Sequence, residues 1–130
     1  MPALKPIVVA LAALAALVLI GAPAQAQGVY GSLAISPSTG AYGYGYNYNT
    51  EALARDRAMS ECRKHAQDCQ VYATFQRQCI AVARASNNAF GWAYGYPNDE
   101  RGERALNECA SRRGDDCKVV TRFCSGVPGQ

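Results

Sequence analysis

The chain has 130 residues and a formal net charge of +3, from 13 Lys and Arg against 10 Asp and Glu. This balance excludes the strongly basic surface of nucleic-acid-binding domains, so no nucleic-acid partner is expected. The length is enough for one small domain after an export signal, and six Cys with a single His restrict the chemistry that the domain can carry.

Residues 1–26 have the features of a secretory signal peptide. Lys5 and the amino terminus supply positive charge, the apolar run Ile7–Ile20 follows, and Ala24–Ala26 matches the small-residue cleavage motif. The apolar run is shorter than the roughly 20 residues that a membrane-spanning helix needs. We therefore predict cleavage after this motif, a mature single domain over residues 27–130 with no membrane partner, and a periplasmic or secreted location.

The mature sequence contains two copies of one unit, at about residues 30–77 and 78–125. Leu33–Tyr46 aligns with Ala81–Tyr94 at an offset of 48 residues, the helical segment aligns at 47, and the last segment aligns at 48 again. The changes of offset fall in expected loops, where insertions are tolerated. The aligned pairs include Tyr44 with Trp92, Tyr46 with Tyr94, Cys62 with Cys109, Asp68 with Asp116 and Phe75 with Phe123.

Each copy begins with a strand, a turn and a second strand. Leu33–Ile35 is a short apolar run, and the turn-like segment Ser38–Ala41 follows it. Tyr42–Tyr48 then alternates aromatic residues with Gly or Asn, and Phe90–Tyr96 repeats the pattern. A period of two indicates a strand with one aromatic face and one nearly bare face. We expect the Ala-rich side of the following helix to pack against the aromatic face.

A helix follows the second strand in each copy. Asn49 or Thr50 can cap the first helix, and Asn98 or Asp99 the second, because their side chains accept hydrogen bonds from first-turn N–H groups. Gly114 suits the end of the second helix. Two ion pairs four residues apart would support the helices, Arg57 with Glu61 and Arg104 with Glu108.

The closing strands are Gln70–Gln76 and Lys118–Phe123, and we expect Val71, Ala73 and Phe75 to share one face. No linker separates the two copies. The sequence therefore predicts a disulfide-linked α+β domain in which two tandem strand–strand–helix–strand units share one core, with about six strands and two helices.

All six cysteines lie in the predicted mature domain, and an even number in a small exported domain indicates disulfides. Structural zinc sites instead use close C-x₂₋₄-C pairs, whereas the closest cysteines here lie seven positions apart. We therefore expect disulfides and no metal. The repeat favours one pair within each copy and a third that we expect to join the copies: Cys62–Cys69, Cys109–Cys117 and Cys79–Cys124.

The segments Tyr30–Ser36, Gly40–Tyr44 and Ala58–Val71, the last repeated as Ala105–Val119, carry a resemblance to a known family. They are similar to the bacterial secreted domain of unknown function, family 4189. The resemblance covers Val29–Ser125. It implies export and disulfides, and it brings no established catalytic residues to carry over.

Few side chains are candidates for catalysis. His65, near a helix end, has no counterpart His in the second copy, so we expect a surface position rather than a nucleophile–His pair. The repeat-matched acids, Glu61 with Glu108 and Asp68 with Asp116, could act as paired carboxylates. Helix ion pairs and local turn hydrogen bonds are their expected roles instead. We predict no catalytic residue and no cofactor, and whether the protein is an enzyme stays open.

The aromatic strands are the candidate binding feature. A small domain needs large buried side chains, so we expect most of these rings in the core, with the outer Tyr48 and Tyr96 exposed. An exposed row of such rings could bind a glycan or a peptide. The candidate binding residues are Tyr44, Tyr48, Trp92, Tyr94 and Tyr96.

The leading hypothesis is an exported, non-enzymatic binding or inhibitory module of the bacterial envelope or extracellular space. Its partner would be an unknown protein or glycan of the cell envelope. The alternatives are a small exported hydrolase that uses Asp68 or Asp116, and a purely structural or stress-related envelope protein. A cleft with two unpaired acids would favour the hydrolase, whereas an exposed aromatic row would favour binding.

Overall fold

The protein is described by a computed structural model over residues 2–3, 28–95 and 98–128, with only the backbone of residues 98 and 99. Apart from residues 2–3, the predicted signal peptide with its cleavage site lies outside the described residues, and so does Tyr96. The elements follow one another in this order: β1 Tyr30–Ile35, β2 Tyr42–Tyr48, α1 Glu51–Arg63, β3 Gln70–Gln76, β4 Gln78–Arg84, β5 Phe90–Tyr94, α2 Asn98–Ser111 and β6 Lys118–Ser125.

The strands form two antiparallel three-stranded sheets, which confirms the predicted α+β class. The first sheet has the order β2-β1-β3 and the second β5-β4-β6, so each copy of the repeat builds one sheet around its own first strand. Helix α1 packs on the first sheet and α2 on the second. Within the described residues, no helix is long and apolar enough to cross a membrane.

One hydrophobic core fills the space between the two sheets. Leu33 and Ile35 enter it from β1, Ile80 and Val82 enter it from β4, and none of them is more than 1% exposed. Burying a side chain of this size contributes about 1.5–3 kcal/mol. The other strands add aromatic rings: Tyr42, Tyr44, Tyr72, Phe75, Phe90, Trp92 and Phe123. The layers are therefore helix, sheet, sheet and helix.

The small residues of β2 and β5 face the helices, whereas the aromatic residues face the opposite sheet. A Cβ atom on Gly43 would lie 2.2 Å from the Cys62 nitrogen, and one on Gly91 would lie 2.2 Å from the Ala105 carbonyl oxygen. The helix backbones therefore rest directly on the strands at these glycines. Our expectation that the helices pack on the aromatic faces is wrong, because this close approach leaves no room for any side chain.

The structural repeat differs from the sequence alignment in the first strand of each copy. Leu33 pairs with Tyr44, and Val82 pairs with Trp92. Leu33 therefore corresponds to Val82, whereas an offset of 48 would align it with Ala81. The first hairpin turn is one residue longer than the second, which accounts for the shift.

A β-bulge in β3 changes which residues of that strand share a face. Leu33 pairs with Ala73 but Ala34 pairs with Val71, which leaves Tyr72 as the extra residue. Val71 is 39% exposed on the far side, and Tyr72 packs against the core instead. The expected common face of Val71 and Ala73 is therefore wrong, because a bulge shifts the alternation by one residue. β6 has a corresponding irregularity.

The helix ends match the sequence prediction in part. The Thr50 hydroxyl caps α1 by accepting a hydrogen bond from the Leu53 N–H at 3.2 Å. After α2, Arg113 takes the positive φ of 69° at which a glycine is usual. Gly114 is needed for another reason, since a Cβ there would lie 2.4 Å from the sulfur of Cys117.

Three disulfides are formed, in the pairing that the repeat favours: Cys62–Cys69, Cys79–Cys124 and Cys109–Cys117. The first and last tie a helix end to the next strand, with 6.1 Å between Cα atoms in both. Cys79 and Cys124 lie opposite each other on β4 and β6. This disulfide therefore lies within the second sheet and does not join the copies, because both strands belong to the second copy. In the first sheet, Tyr30 pairs with Gln76 at the corresponding place.

An aspartate after each helix holds the hairpin turn of its own copy. Asp68 accepts hydrogen bonds from the Ser36 hydroxyl and from the Ser38 N–H, the latter at 3.2 Å. Asp116 accepts one from the Ser86 N–H at 2.9 Å. The hydroxyl bond of Ser36 is the main reason why the pKa of Asp68 lies below its usual value, and bonds from Ser86 lower the pKa of Asp116. These bonds join segments 30 residues apart, so they are not the local turn bonds we expected.

The glycine contact is tested by adding one methyl group. We expect Gly43→Ala to lower the free energy of unfolding by about 1–3 kcal/mol, because overpacking must push α1 away from β2. Gly45→Ala is the control for a milder clash, since its Cβ would lie 2.9 Å from the nearest atom, the Ala54 carbonyl oxygen. Urea denaturation measures both variants, and equal losses would contradict the role given to Gly43.

The third disulfide is tested by removing both of its cysteines. We expect the Cys79→Ala, Cys124→Ala double variant to fold, since the first sheet forms with Tyr30 and Gln76 at this place. It should lose about 2–4 kcal/mol of stability, because the closed loop no longer restricts the unfolded chain. Thermal or urea denaturation under oxidising conditions measures the loss. A failure of the second sheet to form would show that the disulfide is required for the fold.

The aspartate bonds predict how stability depends on pH. Since the folded-state pKa of Asp68 and of Asp116 is lowered, their contribution is present above the ordinary aspartate pKa and is lost as the pH falls through the folded value. Asp68→Asn with Asp116→Asn should therefore narrow the difference in stability between neutral pH and about pH 3. Asp56→Asn, on the surface of α1, is the control. An unchanged pH dependence in the double variant would contradict this role.

Candidate functional site

The predicted binding residues lie on two of the four edge strands, β2 and β5. Tyr44 and Tyr48 are on β2, and Trp92 and Tyr94 are on β5. The rings of β2 pack against β6 and those of β5 against β3, which places the two edge strands on opposite sides of the sandwich. Tyr96 lies outside the described residues, so its predicted exposure stays a prediction.

Exposure along β2 differs from our expectation. Tyr46 is 50% exposed, whereas Tyr48, expected on the surface, is half-buried. Asn47 between them has a positive φ of 59°, and its N–H donates to the Ser125 hydroxyl at 3.0 Å. The side chain of Asn47 accepts from the Gly126 N–H at 2.7 Å. These bonds hold the end of β2 against β6 and limit the exposure of Tyr48.

The rings on the β2 side stack on one another. Tyr44 lies flat on Phe123 with 4.2 Å between ring centroids and 14° between planes. Tyr46 stacks on Tyr44 at 6.2 Å and lies 6.4 Å from Phe123. Aromatic pairs at such distances add about 0.5–1.5 kcal/mol each beyond their buried area. Much of the ring face of Tyr44 is therefore covered by other rings.

The rings on the β5 side form a corresponding stack. Trp92 and Tyr94 are nearly parallel, with 5.6 Å between centroids and 3° between planes. Tyr94 also stacks on Phe75 of β3 at 6.1 Å, and it is 38% exposed. As on the β2 side, each ring of the stack has another ring against one of its faces.

A groove runs along β2 between these rings and helix α1. We call it the first groove; it has a volume of about 540 Å³ and lies within the usual range of ligand sites. Its floor is the edge strand itself, and side chains of α1 and the turn after it form one wall. The lining residues are Tyr42, Gly43, Tyr44, Gly45, Tyr46, Tyr48, Arg57, Glu61 and His65.

The second copy builds a groove of the same kind along β5. This second groove has a volume of about 570 Å³. Trp92, Tyr94, Arg104 and Glu108 in it correspond to Tyr44, Tyr46, Arg57 and Glu61 in the first groove. The full lining is Trp92, Ala93, Tyr94, Arg104, Asn107, Glu108 and Arg112.

Ion pairs fix the charged wall of the first groove. Glu61 accepts from Lys64 at 3.0 Å and pairs with Arg57 at 3.1 Å, the helix pair predicted from the sequence. The hydrogen bond from Lys64 is the main reason why the pKa of Glu61 is lowered; partial burial opposes it, and the charge of Arg57 adds to the lowering. On α2, Arg104 pairs with Glu100 at 3.2 Å.

The residues considered for catalysis have structural partners or surface positions. Asp68 and Asp116 hold the hairpin turns, and their lowered pKa values keep them ionised at neutral pH. His65 is exposed at the end of α1 and lines the first groove. At the corresponding place in the second copy, the Arg112 guanidinium lies 4.3 Å from the centroid of the Phe90 ring, a cation–π contact.

The grooves hold the groups that noncovalent binding uses. They offer ring edges, tyrosine hydroxyls, main-chain groups of an edge strand and basic side chains. All six cysteines are bonded in disulfides. Among the side chains of residues 28–95 and 100–128, no three of His, Cys, Asp or Glu are grouped as metal ligands would be.

The sequence analysis did not recognise the helix wall as part of a site. Arg57 and Arg104 were interpreted only as partners of surface ion pairs. The signal was present, because the Arg–Glu spacing recurs in both copies at the offset of the helical segment. The sequence did not show which side of each strand meets the helix. In the structure, Gly43 and Gly91 place the small side of each strand against it.

Comparison with known proteins gives the family of the chain. No protein of curated function and no solved structure shows significant similarity to it. Residues 30–124 match the family described as "Domain of unknown function (DUF4189)". The match begins at the first residue of β1, ends inside β6, and includes all six cysteines and both grooves. The chain therefore belongs to the DUF4189 family.

Proposed function

We propose that the protein is a non-enzymatic binding module of the periplasm or extracellular space, and that its two grooves are the binding sites. The observation that carries the proposal is the repetition of one groove in both copies. Each groove combines an edge strand, a stacked aromatic pair, and a helix wall with an Arg and a Glu at matching positions.

The acids support binding over the hydrolase that was the alternative. A general acid needs a raised pKa in order to hold a proton near neutral pH. The pKa values of Glu61, Asp68 and Asp116 are all lowered, in each case chiefly by a hydrogen bond. These carboxylates therefore act as hydrogen-bond acceptors in the structure. Glu61 is bonded on the surface of α1, and the two aspartates are bonded to the hairpin turns.

The disulfides support a location outside the cytoplasm. Three of them stabilise a small domain, and such bonds form and persist in oxidising compartments. The signal peptide predicted over residues 1–26 agrees with this location. The partner would be a protein or a glycan of the cell envelope.

The proposal is tested by binding to envelope material through the grooves. We expect the oxidised domain 27–130 to retain components from two probes, envelope protein extract and purified peptidoglycan fragments. Tyr46→Ala with Tyr94→Ala should reduce retention about tenfold, because it removes the most exposed ring of each groove. Quantitative pull-down and biolayer interferometry measure the loss.

The matched control removes two exposed apolar side chains outside the grooves. Val71 and Val120 are 39% and 41% exposed, and Val71→Ala with Val120→Ala should leave retention unchanged. Binding that survives the tyrosine substitutions, or that fails equally in the control, would overturn the assignment of the grooves. Turnover of a substrate that is lost in Asp68→Asn with Asp116→Asn would favour the hydrolase.

A further inference from the structure

We propose that each groove binds an extended polypeptide segment, which adds to the sheet as a new edge strand beside β2 or β5. This inference rests on the proposed function and names the class of its ligand. The ligand is a peptide segment of another protein, recognised through its main chain and through side chains at alternate positions.

The edge of β2 directs unpaired main-chain groups into the first groove. Ser36 and Ala41 are hydrogen-bonded across the hairpin, through the Ser36 N–H at 2.8 Å. Hydrogen-bonded and non-hydrogen-bonded positions alternate along an antiparallel pair. Gly43 is therefore bonded to β1, and the N–H and C=O groups of Tyr42 and Tyr44 point away from it. Both of these tyrosines line the first groove.

The same geometry recurs on β5. Ala85 donates through its N–H to the Ala89 carbonyl oxygen at 2.9 Å. By the same alternation, Gly91 is bonded to β4, and the main-chain groups of Trp92 point outward into the second groove. Tyr44 and Trp92 thus have the same role in the two copies. Besides their aromatic rings, the two grooves therefore share a row of main-chain donors and acceptors with the spacing of a β-strand.

The ring stacks favour a peptide over a glycan. A sugar ring packs against an open aromatic face, but Tyr44 has Phe123 at 4.2 Å over one face and Tyr46 nearby. Trp92 and Tyr94 stack on each other in the second groove, which occupies one face of each ring. Ring edges and hydroxyls beside an edge strand instead form pockets for the alternate side chains of an added strand.

The charges of the helix wall indicate the composition of the segment. An Arg and a Glu line each groove, Arg57 with Glu61 in the first and Arg104 with Glu108 in the second. The second groove has Arg112 as a further cation, where the first has His65. A segment with acidic side chains facing the helix would complement this wall. We therefore expect bound segments to combine apolar or aromatic residues with Asp or Glu in alternation.

A defined probe tests the inference directly. The oxidised domain 27–130 is used to select from a random dodecapeptide library displayed on phage, and one selected peptide is then synthesised. In the free protein, the amide hydrogens of Tyr44 and Trp92 should exchange quickly with solvent. With the peptide bound at saturation, their exchange should slow at least about tenfold. The amides of Gly43 and Gly91 are the internal control, because they are already bonded within the sheets.

A proline substitution provides the matched variant. Tyr44→Pro with Trp92→Pro removes the outward N–H groups, a change that edge strands tolerate, together with two rings that pack against the core. Tyr44→Ala with Trp92→Ala removes the same rings and keeps the N–H groups. Peptide affinity of the proline variant should lie about tenfold below that of this alanine control, because one hydrogen bond per groove is lost. Far-ultraviolet circular dichroism and urea denaturation verify the fold, and the exchange measurement on the unsubstituted domain remains decisive if the proline variant unfolds.

The outcomes separate this inference from the function on which it rests. Peptide binding that leaves the exchange of the Tyr44 and Trp92 amides unchanged would overturn strand addition. Recovery of no peptide, with groove-dependent binding of peptidoglycan fragments, would also overturn it and would leave the proposed function standing. If neither peptides, envelope proteins nor peptidoglycan fragments bind through the grooves, both proposals fail.

Discussion

The contact between a helix backbone and a strand glycine determines the arrangement of this domain. At Gly43 and Gly91 the helix lies so close that a Cβ atom would be 2.2 Å from helix backbone atoms. Because no side chain fits there, the small face of each strand is committed to its helix. The aromatic residues, which alternate with the glycines, must then face the opposite sheet. The order of layers follows from this one steric requirement.

The same requirement produces the two grooves. An edge strand covered on one face by a helix and on the other by ring stacks keeps only its lateral edge open. The stacks at Tyr44 and at Trp92 fill the space between the sheets and form one wall, while Arg57 and Arg104 stand on the other. Core packing and the candidate binding surface are therefore two consequences of one alternation of residues.

The two copies share this design but stabilise it differently. Each has a disulfide between helix and strand and an aspartate that holds the hairpin turn. Only the second sheet has a disulfide across its strands, where the first pairs Tyr30 with Gln76. The turn after the helix also differs, with His65 in the first groove and Arg112 in the second. These differences give the two grooves distinct charge.

The sequence by itself determined the duplication, the α+β class and the favoured cysteine pairing, and it narrowed the first helix cap to Asn49 or Thr50, because all of these depend on local pattern and on comparison of the copies. It did not determine which face of each aromatic strand meets the helix, since a period of two is symmetric between faces. It also missed the bulge at Tyr72, and it placed the Cys79–Cys124 disulfide between the copies instead of within one sheet. The tertiary structure decided these points. The close approach at Gly43, the register of the strands and the length of one hairpin turn are properties of packed backbones, which no single segment of sequence specifies.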